Sequence, residues 1–176
     1  MSRRWFRREH ALAVVSAVAL ERLAELVVAR RNEQWAREHG GVEHGAGHYP
    51  VMVALHSGFL AAIPLEAILR DRQPPRSWPL LLGAAIGAQA LRWWCISTLG
   101  PRWNTKVIVL PEEPPIVAGP YELLDHPNYV AVVVEGAALP LLAGASRTAT
   151  VFSVANAFLL RHRIRVEDAA LGRRDP

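Results

Sequence analysis

An all-α bundle of about five membrane-spanning helices is the fold this sequence predicts, and three observations lead to it. Of the 176 residues, 51% are hydrophobic, and the mean hydropathy is positive. The charges gather in blocks at 3–8, 30–43, 70–76 and 161–174, which is how a membrane bundle divides its residues between lipid and water. Between the blocks lie five segments, 11–29, 49–69, 78–99, 127–143 and 147–160, that approach the roughly 20 apolar residues needed to cross a bilayer. The expected organisation is one domain over 1–176, with three helices in 1–99, a loop over 100–126, and a helical hairpin with a C-terminal helix over 127–176.

The first segment follows an Arg-rich start, but Glu21, Arg22 and Glu25 stand where a cleaved signal peptide needs small residues. Those three can pair within the helix and face the bundle. His39, His44 and His48, with Glu43 among them, follow in a Gly-rich stretch. Their spacing fits no common zinc pattern and there is no HExxH, so no metal site is expected. Gln73-Pro74-Pro75 is a turn between the second and third segments. The third carries Gly83 and Gly87 in a GxxxG arrangement, which permits close helix approach and leaves an oligomer open. The single cysteine, Cys95, excludes an internal disulfide and lies in the same apolar segment, where a thiol acts as a small hydrophobe. From 100 to 126 the prolines at 101, 111, 114, 115 and 120 break any helix, giving a long connection of the kind that is usually functional.

Pro127 suits the first turn of the fourth helix, because its missing N–H costs nothing there, and His126 then sits at the cap. Gly144-Ala145-Ser146 leaves room only for a tight reversal, so the last two helices form an antiparallel hairpin, the fifth continuing as a polar helix toward Leu171. Orientation stays open: eight Lys and Arg on one side face ten on the other. The net charge of +4 does not point to nucleic acid, since the arginines border apolar segments instead of forming a basic and aromatic face. Membrane lipid headgroups are the anionic neighbours to expect.

Two polar stripes stand out in the hairpin. Asn128, Val132 and Glu135 share one helical face, and Asn156, Leu160, Arg163 and Glu167 share another. A reversal centred near Ala145 sets Glu135 level with Asn156 and Asn128 level with Arg163. Polar side chains in membrane helices also serve packing alone. A carboxylate at that depth is costly enough to mark a functional site. The seam is a candidate pocket, open to water at His126 and closing toward Glu135.

Gly119-Pro120-Tyr121, His126-Pro127-Asn128-Tyr129, Glu135, and Arg163 with Glu167-Asp168 and Leu171 resemble the C-terminal signature of isoprenylcysteine carboxyl methyltransferases and related membrane methyltransferases. The stretches from Arg92-Trp93-Trp94 through Leu99-Gly100-Pro101-Arg102-Trp103 to Val107-Ile108, and from Gly40 through His48-Tyr49 to His56, resemble the small bacterial branch, so the likeness covers nearly the whole chain. One departure is Asp125, where the family pattern usually reads arginine before His-Pro; it removes a cation at the helix mouth. Glu167 followed by Asp168 replaces the usual pair of glutamates.

The resemblance implies S-adenosylmethionine bound between the last helices, and methyl transfer to an oxygen (carboxylate, enol or phenol) of a lipid-like acceptor entering from the bilayer. It assigns Tyr121, His126, Pro127, Asn128, Tyr129, Glu135, Asn156, Arg163, Glu167 and Asp168 to the cofactor. Arg92, Arg102 and Glu167 become candidate catalytic residues, the two arginines orienting an anionic nucleophile. His48, Tyr49, His56, Trp93 and Trp103 are expected on the substrate side. Because the cofactor is made in the cytoplasm, a bacterial inner-membrane protein of this kind would keep the loop before Pro127 and the C-terminus inside. Five spans would put the N-terminus outside. The competing readings are an NADPH-dependent membrane lipid or sterol reductase, which shares a Gly-Pro-Tyr and His-Pro-x-Tyr ending, and a non-catalytic membrane scaffold.

Overall fold

The computed structural model describes residues 6–173; Arg3, Arg4 and Arg174 of the terminal charge blocks lie outside them. It holds five long helices: α1 (Arg8–Glu38), α2 (Tyr49–Leu69), α3 (Trp78–Leu99), α4 (Pro127–Leu142) and α5 (Ser146–Ala170). The boundaries follow local chemistry. Three helices begin with proline in their first turn, Pro50, Pro79 and Pro127, where the ring's fixed φ suits the helix. α1 ends where Gly40, at φ +81°, lets the Gly41 N–H return to the Ala36 carbonyl at 2.7 Å. α4 ends at Gly144, φ +77°, and the Ala145 N–H closes back on the Pro140 carbonyl. The free N–H groups at the start of α5 are met from another helix: Glu66 of α2 accepts from the Arg147 and Thr148 amides at 3.1 and 2.7 Å and from the Thr148 hydroxyl at 2.7 Å.

The core is built largely of small side chains. Ala11, Val15 and Val18 of α1 meet Phe59, Ile63 and Ala67 of α2, Ala85 of α3, Ala138, Leu139 and Leu142 of α4, and Phe152 of α5. Small residues let backbones approach closely without help from water. At one such approach, a β-carbon on Gly136 would stand 2.5 Å from the Phe152 ring. The GxxxG pair is used differently from expectation. A β-carbon at Gly83 or Gly87 meets nothing within 4 Å, so no helix packs closely on them among the described residues.

Two helices are long and apolar enough to cross a membrane, spanning Ala46–Leu69 and Trp78–Arg102, while Pro127–Leu142 is a shorter apolar helix. α1 and α5 do not reach that criterion. Yet large apolar side chains face outward on all five, among them Leu20 and Leu23, Leu65 and Leu69, Leu80 and Ile86, Val130 and Val133, Val154 and Phe158. An outer surface of this kind suits lipid, and the protein is a mostly helical membrane protein.

The all-α reading fits, with one small addition to the helices. Val42–His44 (β1) and Val107–Val109 (β2) pair antiparallel, Val42 opposite Val109 and His44 opposite Val107. The 100–126 connection, expected to be irregular, thus carries a strand and two 3-10 turns, Gly100–Arg102 and Gly119–Glu122. The pairing pins this loop to the end of α1, over the mouth of α4.

Candidate functional site

Two chambers meet inside the molecule. The outer one, about 160 Å³, lies beneath the 100–126 loop and is bordered by Arg102, Lys106, Tyr121, His126, Glu167 and Arg173. The inner one, about 210 Å³, lies between α1, α2, α4 and α5. Its walls are mainly apolar (Leu23, Leu26, Met52, Phe59, Leu60, Phe152, Leu159), and polar groups stand at two depths. Trp103, Asn104, Asn128, Tyr129 and Arg163 line both chambers and form the partition between them.

Around the outer chamber the polar end of the hairpin forms one connected cluster. His126 Nε2 lies 3.0 Å from Asp168 Oδ1; an ionised carboxylate only accepts, so the imidazole donates. Nδ1 of the same ring is 3.7 Å from Glu167 Oε1, too far for a hydrogen bond, and is buried without a hydrogen-bond partner. The Tyr129 hydroxyl donates to Glu167 Oε2 at 2.5 Å. The Glu167 carboxylate beside it, with Asp168, holds His126 above the ordinary histidine range against the effect of burial. Burial pushes the Glu167 carboxyl up, but His126, the Tyr129 hydroxyl and the Arg163 charge together outweigh it and hold the group below its ordinary range. Tyr121, in the 3-10 turn before α4, is pushed up by burial and stays a neutral phenol.

Arg163 stands at the partition. It is 5% exposed, its Nη2 donates to the Thr105 carbonyl at 2.9 Å, and its guanidinium lies 5.9 Å over the Tyr129 ring. Nη1 is buried with no hydrogen-bond partner. A buried cation with an unused donor between two cavities is available to an anionic group of a bound molecule.

A second ionic network crosses the bundle. Arg92 of α3 grips Glu25 of α1 through Nε and Nη2, both at 2.8 Å, with Asn128 3.5 Å from Nη1. Arg22 binds Glu25 at 2.6 Å, Glu135 at 3.0 Å and Gln89 at 2.5 Å, and Gln89 and the Trp93 indole both donate to Glu21.

The expected site residues distribute unevenly over this geometry. Tyr121, His126 and Glu167 border the outer chamber, with Asp168 behind His126. Asn128, Tyr129 and Arg163 belong to the partition, and Glu135 and Asn156 to the inner chamber alone. Asn128 with Arg163, and Glu135 with Asn156, therefore do face common cavities. The partner of Glu135, however, is Arg22. Tyr49 and His56 line the inner chamber, and Trp103 lines both. Three assignments change. His48 borders neither chamber, being buried edge-on to His162 at 5.3 Å. Trp93 is 47% exposed, rests its indole on Glu21 of α1 and borders neither chamber. Pro127 is fully buried at the start of α4, lining no chamber and acting through the backbone. Of the two arginines expected to orient a nucleophile, Arg92 is occupied by Glu25. Arg102 donates to the Pro114 carbonyl at 2.8 Å and pairs with Glu113 in the outer chamber.

The sequence reading missed Asn104, Thr105 and Lys106 on the loop and the contribution of α1. A signal existed for α1, since Glu21, Arg22 and Glu25 in an apolar segment demand partners, but nothing in the sequence says that these come from α3 and α4. Arg173 approaches Asp125, its Nη1 lying 3.3 Å from the carbonyl and 4.0 Å from the carboxylate. It therefore brings a cation to the helix mouth where Asp125 stands.

Comparison with known proteins follows the same lines. A model of the isoprenylcysteine carboxyl methyltransferase (ICMT) family matches residues 81–173, from α3 through α5. The uncharacterized protein YpbQ of Bacillus subtilis is 38% identical over 158 residues, covering 90% of this chain and 94% of that protein. An uncharacterized protein of Haemophilus influenzae is 25% identical over 151 residues, covering 85% and 88%. No solved structure matches the chain.

Proposed function

We propose, from the premise that the chain belongs to the isoprenylcysteine carboxyl methyltransferase family, that it transfers a methyl group from S-adenosylmethionine to an oxygen of a lipid-like acceptor. The observation that carries this reading is the partition. A chamber of mixed lining that carries the charged groups and a mainly apolar chamber share five residues, Trp103, Asn104, Asn128, Tyr129 and Arg163. A water-soluble methyl donor and a membrane-soluble acceptor need that arrangement.

Bound S-adenosylmethionine supplies an electrophilic methyl on a sulfonium sulfur. The outer chamber's donor set fits such a molecule on three counts. The unpartnered Nη1 of Arg163, with Arg173 on the same chamber, suits a carboxylate. Glu167 suits an ammonium or a ribose hydroxyl. The Tyr129 and Trp103 rings, with Glu167 near, suit a sulfonium, which aromatic faces and carboxylates attract. The buried Nδ1 of His126 adds a further unused polar site. Tyr129 is held by Glu167 and overlain by Arg163, so its ring is fixed at the partition before anything binds, and such preorganisation favours an in-line displacement. Glu135 and Asn156 go with the acceptor in this reading, because they face the inner chamber.

The apolar exterior of all five helices supports five membrane-crossing or membrane-embedded segments. The outer chamber then opens to the cytoplasm, where the cofactor is made, and the protein resides in the inner membrane of a bacterium. The test is direct. Purified protein in lipid nanodiscs should bind S-adenosylhomocysteine and not NADPH, and should move label from methyl-labelled S-adenosylmethionine into a lipid extract. Binding of NADPH alone would replace this reading with a reductase, and binding of neither would leave a scaffold.

A further inference from the structure

The deep end of the inner chamber holds polar atoms that the chain leaves unsatisfied. Asn156, 2% exposed, has an Oδ1 with no partner, and Nε of Arg22 has none either. Both residues line the chamber, as does Glu135. The terminal nitrogens of Arg22 are engaged by Glu25, Gln89 and Glu135, so Nε is its unused donor. The result is a buried acceptor and a buried donor on the walls of one cavity, the donor's guanidinium paired with the Glu135 carboxylate. Nearly all buried polar atoms in proteins find partners, so an orphaned pair around one cavity points to a ligand that completes them.

The chemistry of that ligand follows from what each candidate group offers. A hydrocarbon satisfies neither atom. A carboxylate can accept from Arg22 Nε, but it has nothing to donate to Asn156 Oδ1 and is repelled by Glu135. A hydroxyl accepts one hydrogen bond and donates another, which matches the pair. Glu135 and Asn156 stand seven residues deeper along their helices than Asn128 and Arg163. At the α-helical rise this is about 10 Å below the partition.

We infer that Arg22, Glu135 and Asn156 form a recognition site for a hydroxyl on the head of the acceptor, so that the inner chamber selects hydroxylated amphiphiles over fatty acids and plain alkyl chains. The inference rests on the proposed reading that this chamber takes the acceptor. It adds a specificity determinant lying partly on α1, outside the segment matched to the family.

The test is binding without cofactor. Wild-type protein in nanodiscs is titrated with 4-dodecylphenol, with its methyl ether, which keeps the oxygen acceptor and loses the donor, and with dodecanoate. The phenol should bind roughly tenfold to a hundredfold more tightly than the ether or the carboxylate, the range set by a hydrogen bond to a charged or buried partner. Asn156→Leu should bring the phenol close to the ether, and Glu135→Gln, which removes the repelling charge, should bring dodecanoate close to the phenol. Equal binding of phenol and ether by the wild type, a preference for dodecanoate, or a preference unchanged in both variants would overturn the inference. Retained S-adenosylhomocysteine binding reports that a variant is folded, and if neither variant folds the wild-type comparison decides alone. If S-adenosylhomocysteine fails to bind the wild type while the phenol preference holds, the methyltransferase reading falls and the hydroxyl site stands.

Discussion

Replacing Arg163 with glutamine removes the cation at the partition without opening a large hole. In the free protein Arg163 makes one hydrogen bond to the Thr105 carbonyl and leaves Nη1 unused. Its absence therefore costs the apo protein about 0.5–1.5 kcal/mol, the net contribution of an ordinary hydrogen bond. A cofactor carboxylate on Nη1 would make a charge-assisted bond in a buried setting, and losing it should weaken binding by about 1.5–3 kcal/mol, or tenfold to about 150-fold in Kd. Asp125→Asn is the comparison: the Asp125 side chain is 82% exposed and 4.0 Å from Arg173, an exposed ion pair that contributes about 0–1 kcal/mol. Calorimetric titration of S-adenosylhomocysteine into each protein in nanodiscs should therefore rank wild type and Asp125→Asn together and Arg163→Gln well below. Thermal shift should agree, since a ligand stabilises by an amount that follows its affinity. If Arg163→Gln binds as wild type, or if Asp125→Asn is the weaker binder, the assignment of Arg163 to the cofactor is wrong.

Glu167→Gln should weaken S-adenosylhomocysteine binding by about 1–3 kcal/mol and also flatten the pH dependence of stability. The stabilisation from His126, whose folded value is raised, is complete below the ordinary 6.5 and lost as pH rises through the folded value. That from Glu167, whose folded value is lowered, is complete above the ordinary 4.5 and lost as pH falls through the folded value. Both are full between about 4.5 and 6.5, so the Tm difference between wild type and variant should peak in that window. A difference independent of pH would refute the coupling. Gly136→Ala puts a β-carbon 2.5 Å from the Phe152 ring. It should cost about 1–3 kcal/mol by overpacking and impair acceptor binding more than S-adenosylhomocysteine binding; equal impairment would place Gly136 outside the acceptor's path. Gly144→Ala demands φ +77° of a residue with a side chain, 2.8 Å from Arg72 Cβ, and should lower stability by at least about 1 kcal/mol, read as Tm, without altering ligand affinity in the folded fraction.

The helices were legible because each is announced locally. Proline at 50, 79 and 127 opens three of them, Gly144 closes one, and apolar runs fill the interiors. The hairpin was legible too, because Gly144-Ala145-Ser146 leaves room only for a tight reversal. The α1 contribution was hidden, since Arg22 finds Gln89 and Glu135 at sequence separations of 67 and 113, and local pattern carries no record of such partners. β1 and β2 were hidden for a related reason. Three residues each give too short a pattern, and Val42–His44 lies in a Gly- and His-rich stretch that reads as a turn. Trp93 was misplaced because adjacency to a site residue in sequence rotates a helical side chain by about 100°, which leaves Trp93 half exposed against Glu21 while Arg92 enters the bundle, and His48 because it closes the 3-10 turn Ala46–His48 ahead of α2.

The partition of Trp103, Asn104, Asn128, Tyr129 and Arg163 changes what concentration means for this protein. One reagent would arrive by diffusion in three dimensions and the other by diffusion in a plane, and neither would have to dissolve in the other's medium. The acceptor's KM then belongs in mole fraction of lipid, and diluting vesicles in buffer at a fixed lipid composition should leave it unchanged. The donor's KM stays in molar units of the aqueous phase. Catalysts that bring an ionic reagent to an oil-soluble one at a boundary work under the same dual accounting, and here a wall one side chain thick would be that boundary.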